Sequence, residues 1–215
     1  MDLFFAPLAC SMSARIALNE AGAAIRFIEV DTKLGRALET GEDYRAINPL
    51  GYVPALRLDD GTVLTENAAI LQAIADQYAD AELAPPASDR IGRARLRQWL
   101  SFIGAELHKG LMTPLLGDKT PPEVRAWTVG RYASRLAYLN DKLKGREFLL
   151  DRFSVADGYL TVVLNWTRAT PGIDLASYPN VKAYLERMRQ RPSVAAALAT
   201  EIPLFQAEVA RRKAA

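Results

Sequence analysis

The chain has 215 residues, of which 50% are hydrophobic and 24% charged, with a formal net charge of +2. Such a composition builds a well-formed core and the length suits one large domain or two small ones. It offers no basic block to grip nucleic acid and no apolar run long enough to span a bilayer, and its one cysteine rules out an internal disulfide framework.

Leu3-Phe4-Phe5 predicts a buried strand. Ser11 to Gly22 predicts a helix, with Ile16, Ala17 and Ala21 on one side and Arg15 and Glu20 on the other. A second strand follows at Ile25–Val30, then loop and short helix from Asp31 to Tyr44, then a third strand at Val53–Leu58. Asp59-Asp60-Gly61 is a hairpin turn into Thr62–Thr65. Glu66 to Tyr78 carries Ile70, Leu71, Ile74 and Tyr78 on one helical face. The order over residues 1–80 is β-α-β-(α)-β-β-α, a compact α/β domain. Residues 81–89, with Pro85-Pro86, read as a linker. Beyond it strand signals vanish. One long helix is expected from Arg90 to Leu116 and another from Pro121-Pro122 to Gly145, with further helix starts at Ser154, Tyr178-Pro179 and Arg191-Pro192. Residues 90–215 are therefore expected to form an all-α domain. The N-terminus, Met1-Asp2-Leu3-Phe4-Phe5, has no basic region and too short an apolar run for a signal peptide, and the lone cysteine fits a reducing compartment; a cytoplasmic location is expected.

Four places can carry chemistry. Cys10 lies at the first strand-to-helix turn, where a helix N-terminus favours the reactive thiolate; the alternative is a small buried hydrophobe. Glu66 and Asn67 open a helix, where backbone N–H groups bind a carboxylate, the Asn67 side chain can add a donor and Glu66 offers an acceptor to an ammonium; the alternative is a plain helix cap. His108, the only histidine, is either a satisfied structural residue of an amphipathic helix or a catalytic one. Ser154 and Asp157 form an S-x-x-D capping arrangement, a folding device.

The motifs in order resemble those of the cytosolic glutathione transferases. Asn48-Pro49-Leu50-Gly51-Tyr52-Val53-Pro54-Ala55-Leu56 is similar to the family's N-P-x-G-x-V-P-x-L run, Leu64-Thr65-Glu66-Asn67-Ala68-Ala69-Ile70 to its L-x-E-S-x-A-I run, and Phe153-Ser154-Val155-Ala156-Asp157 to its F-[ST]-x-A-D run. Cys10-Ser11, Trp99 and Glu106-Leu107-His108-Lys109-Gly110 narrow the resemblance to the bacterial beta class. It implies a thioredoxin-like α/β N-terminal domain, an all-α C-terminal domain, a cleft between them and a symmetric homodimer. Glutathione is the implied co-substrate, with no metal, no nucleic acid and no membrane partner. Cys10 and His108 are the implied catalytic residues, His108 as a neutral donor or as a cation that helps hold a thiolate or polarise an electrophile. Implied glutathione contacts are Cys10, Ser11, Arg36, Tyr52, Val53 and Pro54 (joined by a cis peptide bond), Glu66, Asn67, Ser101, Ala105, Glu106, His108 and Lys109. Leu8, Met112 and Trp166 are implied to line the site of a small hydrophobic electrophile. The chain departs from the pattern where Asn67 replaces a Ser, Ser101 an Asn and Arg15 a His, and either Lys33 or Arg36 must serve the glycyl carboxylate. The implied chemistry is conjugation of the glutathione thiolate to an electrophile, thiol–disulfide exchange through Cys10, or both. The alternatives are a non-catalytic interaction or regulatory protein of this fold and, within enzymes, a glutathione-dependent dehalogenase or ether-cleaving enzyme.

Overall fold

The computed structural model describes residues 1–170 and 172–214. They fall into two compact units, one of Met1–Leu83 with the C-terminal helix, the other of Ala84–Arg191.

In the first unit, β1 (Asp2–Phe5) buries Leu3, Phe4 and Phe5 and lies at the centre of a five-stranded sheet. On one side it runs parallel to β2 (Arg26–Asp31), with Phe4 opposite Ile28; on the other it is antiparallel to β4 (Ala55–Arg57), with Phe4 opposite Ala55. The parallel pair is joined by helix α1 (Met12–Glu20), a β-α-β crossover. The strand β5 (Val63–Leu64) pairs antiparallel with β4 through the Asp59-Asp60-Gly61 turn, where Gly61 takes φ +85. The two-residue strand β3 (Arg36–Ala37) extends the sheet beyond β2, in a stretch that the sequence reads as loop. Two residues give no alternation to detect, and only the burial of Ala37 marks them. The short helix α2 (Tyr44–Ile47) places Tyr44 against Phe4, Ile28, Val30, Ala37 and Ala55. Helix α3 (Asn67–Gln77) packs beside α1.

The second unit contains α4 (Arg90–Ser101), a π-helical segment (Phe102–Met112), α5 (Thr113–Leu116), α6 (Pro122–Lys142), α7 (Val155–Asn165) and α8 (Pro179–Gln190). The long helix expected over Arg90–Leu116 is thus continuous but changes winding at Phe102. Gly110 permits the change: a Cβ there would lie 2.7 Å from the Ala105 carbonyl oxygen, five residues back. At the far end the Thr113 N–H donates to the His108 carbonyl, also five residues back. Helix α7 is buried along almost its whole length and is fixed at its start by Asp157. One carboxylate oxygen accepts from the Ser154 N–H and hydroxyl (2.9 and 2.8 Å), the other from the Leu149 N–H and the Tyr184 hydroxyl (2.9 Å each).

The last helix, α9 (Pro192–Ala214), differs from expectation in its allegiance. The sequence groups residues 192–215 with the helical domain, whereas the structure packs α9 on α1 of the first unit. The reason is a buried ion pair: Arg15 Nε donates to Glu201 Oε1 at 2.7 Å, with both side chains almost completely enclosed. The Arg15 guanidinium also lies over the rings of Phe27 and Phe5. No helix among the described residues is long and apolar enough to cross a membrane.

Candidate active site

In the first unit the site is built on the loop from Ala6 to Ser11. Ser11 is fully buried and closes this loop on itself: its hydroxyl donates to the Ala6 carbonyl at 3.2 Å and accepts from the Ala6 N–H at 3.3 Å. Leu8 adopts φ +58, a left-handed conformation unusual for a branched residue, and its N–H donates to Glu201 Oε2 at 2.7 Å. Burial pushes the Glu201 carboxyl above its usual range, opposed by Arg15 and the Leu8 N–H. One carboxylate of α9 therefore holds both α1 and the loop that presents Cys10.

Cys10 is 8% exposed, and its Sγ donates to the Val53 carbonyl at 3.2 Å. Such a bond is made by the S–H form. At the start of the helix Met12 N–H donates to the Ala9 carbonyl and Ser13 N–H to that of Cys10, each at 3.0 Å. Val53 is joined to Pro54 by a cis peptide bond. The loop ahead of it is set by the Tyr52 carbonyl, which accepts from the Tyr44 hydroxyl and the Asn48 side chain, both at 2.7 Å. Burial raises the Tyr44 pKa to about 12, so its hydroxyl stays a donor. Gly51 takes φ +70, which completes the turn that the Asn-Pro-Leu-Gly run encodes. The Tyr52 side chain itself is exposed.

Glu66 stands at the N-cap of α3 with φ +66. A non-glycine residue held there costs on the order of 1–3 kcal/mol and persists only where its surroundings dictate it. Its carboxylate is on the surface. Asn67, by contrast, is turned inward: its Nδ2 donates to Ser13 Oγ at 2.9 Å, and that hydroxyl donates to the Cys10 carbonyl at 2.7 Å. The side chain expected to offer a donor at the helix end instead ties α3 to the Cys10 turn. Arg36 is exposed on β3, and Lys33 is exposed in the turn before it.

In the second unit, His108 lies in the π-helical segment, 9% exposed. Its Nδ1 is 2.7 Å from the Tyr159 hydroxyl, and its ring meets those of Tyr159 and Trp166 edge-on, with centroids 5.9 and 5.0 Å apart. Burial, with Lys109 adding to it, lowers the His108 pKa from 6.5 to about 4, so the imidazole is neutral at physiological pH. Tyr159 is the residue that the sequence reading missed; its place two positions after Asp157, on the best-anchored helix, is the signal that could have found it. Met112 is buried, with its sulfur 3.9 Å from the Thr170 hydroxyl. Ser101 and Ala105 are exposed. Glu106 accepts from Arg135 Nε and Nη2 at 3.0 and 2.9 Å. Lys109 borders an open hollow of about 710 Å³ with Thr113, Pro114, Lys119 and Val124. Leu8, Met112 and Trp166 are not among its lining residues.

A β-α-β-β-α-β-β-α unit with a cis-proline loop facing a cysteine at its first helix, together with a helical unit, defines a thioredoxin-like fold with an α-helical companion. Family comparison agrees. Residues 9–77 match the glutathione S-transferase N-terminal domain and residues 106–192 the glutathione S-transferase C-terminal domain. The chain is 41% identical over 202 residues to glutathione S-transferase GstA of Escherichia coli O157:H7, covering 94% of this chain and 98% of that one. Two solved structures, a sphingomonad glutathione S-transferase complexed with glutathione and the bacterial beta-class enzyme of Sphingomonas chungbukensis, each share 44% identity. Each superposes with a TM-score of 0.88, over 94% of this chain and 98% of theirs. The chain belongs to the glutathione S-transferase family and is of the bacterial beta-class type.

Proposed function

We propose that this transferase binds glutathione along the Val53 backbone and uses it in two reactions: conjugation to small hydrophobic electrophiles and thiol–disulfide exchange through Cys10. The observation that carries the reading is the hydrogen bond from Cys10 Sγ to the Val53 carbonyl beside a cis Val53–Pro54 bond. An extended peptide that pairs with Val53 like an added strand takes over that carbonyl, releases the Cys10 thiol and sets its own cysteine beside Cys10. Glu66 and the first amides of α3 suit the α-ammonium and carboxylate of the γ-glutamyl end, and Arg36 the glycyl carboxylate. Tyr52, Pro54 and the Cys10–Ser11 turn frame the cysteinyl part, while Asn67 acts by holding that turn. Of the helical unit, Ser101, Ala105, Glu106, His108 and Lys109 are the further glutathione contacts of this reading, and Met112 and Trp166, with Leu8 of the first unit, are its contacts for the electrophile.

In conjugation the glutathione sulfur attacks the electrophilic carbon, its proton is lost to solvent and the leaving group departs. A neutral His108 serves there as a hydrogen-bond donor rather than as a charge. In exchange the Cys10 thiolate attacks one sulfur of a disulfide. The old S–S bond breaks, a mixed disulfide of Cys10 with glutathione forms, and the departing thiolate takes up a proton; the thiolate of a free glutathione then attacks the glutathione sulfur of that mixed disulfide, so that glutathione disulfide forms and the Cys10 thiolate is released. No second cysteine exists to resolve it within the chain.

We further propose a symmetric homodimer, which sedimentation will test, and a cytoplasmic setting, where glutathione is kept reduced. The functional test is Cys10→Ala. Reduction of a glutathione mixed disulfide should be abolished, while conjugation to chlorodinitrobenzene should survive in part. Undiminished disulfide reduction would reject the covalent role of Cys10. Absence of any heat on titrating wild type with millimolar glutathione would reject the reading as a whole.

A further inference from the structure

We infer that Tyr159 is a positioning residue for His108: its phenol donates to Nδ1 and so fixes the neutral imidazole in the tautomer that carries its proton on Nε2. Two arrangements are open to a neutral histidine and a tyrosine that share one hydrogen bond. Either the phenol donates to a bare Nδ1, or a protonated Nδ1 donates to the phenol oxygen. They leave opposite functions on the other nitrogen, a donor in the first case and an acceptor in the second.

Chemistry and geometry both favour the first. A phenol is a much stronger proton donor than a neutral imidazole N–H, and an imidazole nitrogen is a better acceptor than a phenol oxygen. The separation of 2.7 Å matches an O–H donor, whose usual distance is about 2.7–2.8 Å, better than an N–H donor at about 2.9–3.0 Å.

The pair is also rigidly held. Tyr159 is 3% exposed and His108 9%. Tyr159 sits in the first half of α7, which the four hydrogen bonds to Asp157 anchor. The imidazole is flanked edge-on by Tyr159 and Trp166, and the Thr113 hydroxyl donates to the His108 carbonyl at 3.1 Å. A side chain that stays uncharged under working conditions can steady a thiolate or a departing anion only as an N–H donor, so the tautomer decides whether Nε2 donates to such a charge or instead offers a bare nitrogen. That consequence for turnover rests on the transferase reading above; the tautomer itself does not.

Because His108 is the only histidine, the full-length protein labelled with nitrogen-15 yields one imidazole pair, and its two-bond proton–nitrogen pattern at pH 7 identifies the tautomer. The expected result is a neutral ring with Nε2 protonated and Nδ1 a hydrogen-bonded acceptor. In Tyr159→Phe, which preserves ring packing, the Nδ1 resonance should move downfield as its donor is lost. The kcat with chlorodinitrobenzene should fall severalfold, with little change in KM for glutathione. A wild-type ring protonated on Nδ1, or an Nδ1 resonance unmoved in Tyr159→Phe, would overturn the assignment. A shifted resonance with unchanged kcat would overturn the use of Nε2 in turnover. A wild type with no conjugating activity and no glutathione binding would remove the transferase reading, while the nitrogen spectrum would still decide the tautomer.

Discussion

At the scale of single residues, the two positions with the clearest physical signatures are Glu66 and His108. Glu66 keeps a surface carboxylate on a backbone held at φ +66, and the proposed function gives that carboxylate the ammonium group of glutathione as its partner. Glu66→Ala should weaken glutathione binding by roughly 1.5–3 kcal/mol, the usual contribution of a charged hydrogen bond, and calorimetry will measure it; an unchanged Kd would return Glu66 to the role of a cap. His108 makes stability depend on pH with a definite sign. Its folded-state pKa of about 4 lies below the ordinary 6.5. The unfolded chain therefore takes up a proton below pH 6.5 that the folded chain refuses. This contribution is fully present above pH 6.5 and is lost as pH falls toward 4, by roughly 3 kcal/mol over that interval. Urea midpoints at pH 7 and pH 4.5 should separate less in His108→Phe than in wild type. Equal separations would show that the buried imidazole titrates normally.

Among the elements, the π-helical segment Phe102–Met112 carries the residues proposed for the helical side of the site. Long π-helical stretches are rare and recur at functional sites, and this one holds Glu106, His108 and Lys109. Gly110 lets the Ala105 carbonyl approach to a distance that no Cβ tolerates. Gly110→Ala gains roughly 1 kcal/mol of helix propensity but forces the winding back toward an α-helix, which shifts His108 against Tyr159. Conjugation should drop while helical content and solubility are retained. A variant with wild-type kcat would show that the winding has no bearing on the site.

For the molecule as a whole, the decisive contact is made between residues far apart in the chain. Arg15 and Glu201 form a buried pair across 186 positions, and the same carboxylate fixes the Leu8 N–H two residues from Cys10. Removing one partner of a buried pair leaves the other charge unmatched and costs about 3–5 kcal/mol. Glu201→Ala should thus lower the midpoint of thermal unfolding sharply and loosen the Cys10 loop, seen as faster alkylation of the thiol. The double variant Arg15→Met, Glu201→Leu should recover most of the stability but not the slow alkylation, because the Leu8 N–H stays unanchored. Full recovery of both would show that Glu201 acts only through Arg15.

Much of this architecture is written in local signals. Short apolar strand runs, the Asp-Asp-Gly turn, prolines at helix starts and the Ser154–Asp157 cap each depend on neighbours within a few residues, so the sequence alone defined the α/β unit, the helical unit and the family resemblance. The Asn48-to-Pro54 run likewise marked the cis-proline loop beside Cys10. Other features depend on partners that no local pattern names. Asn67 reads as a ligand donor at a helix end until α1 brings Ser13 within 2.9 Å, and His108 reads as ambiguous until α7 supplies the Tyr159 hydroxyl. The last helix reads as one more member of the helical unit because its amphipathic face is indifferent to which neighbour it covers. Only folding, which brings Glu201 to Arg15, decided that α9 belongs with the cysteine loop, since a buried charge must be met by its counterpart wherever the chain has placed it.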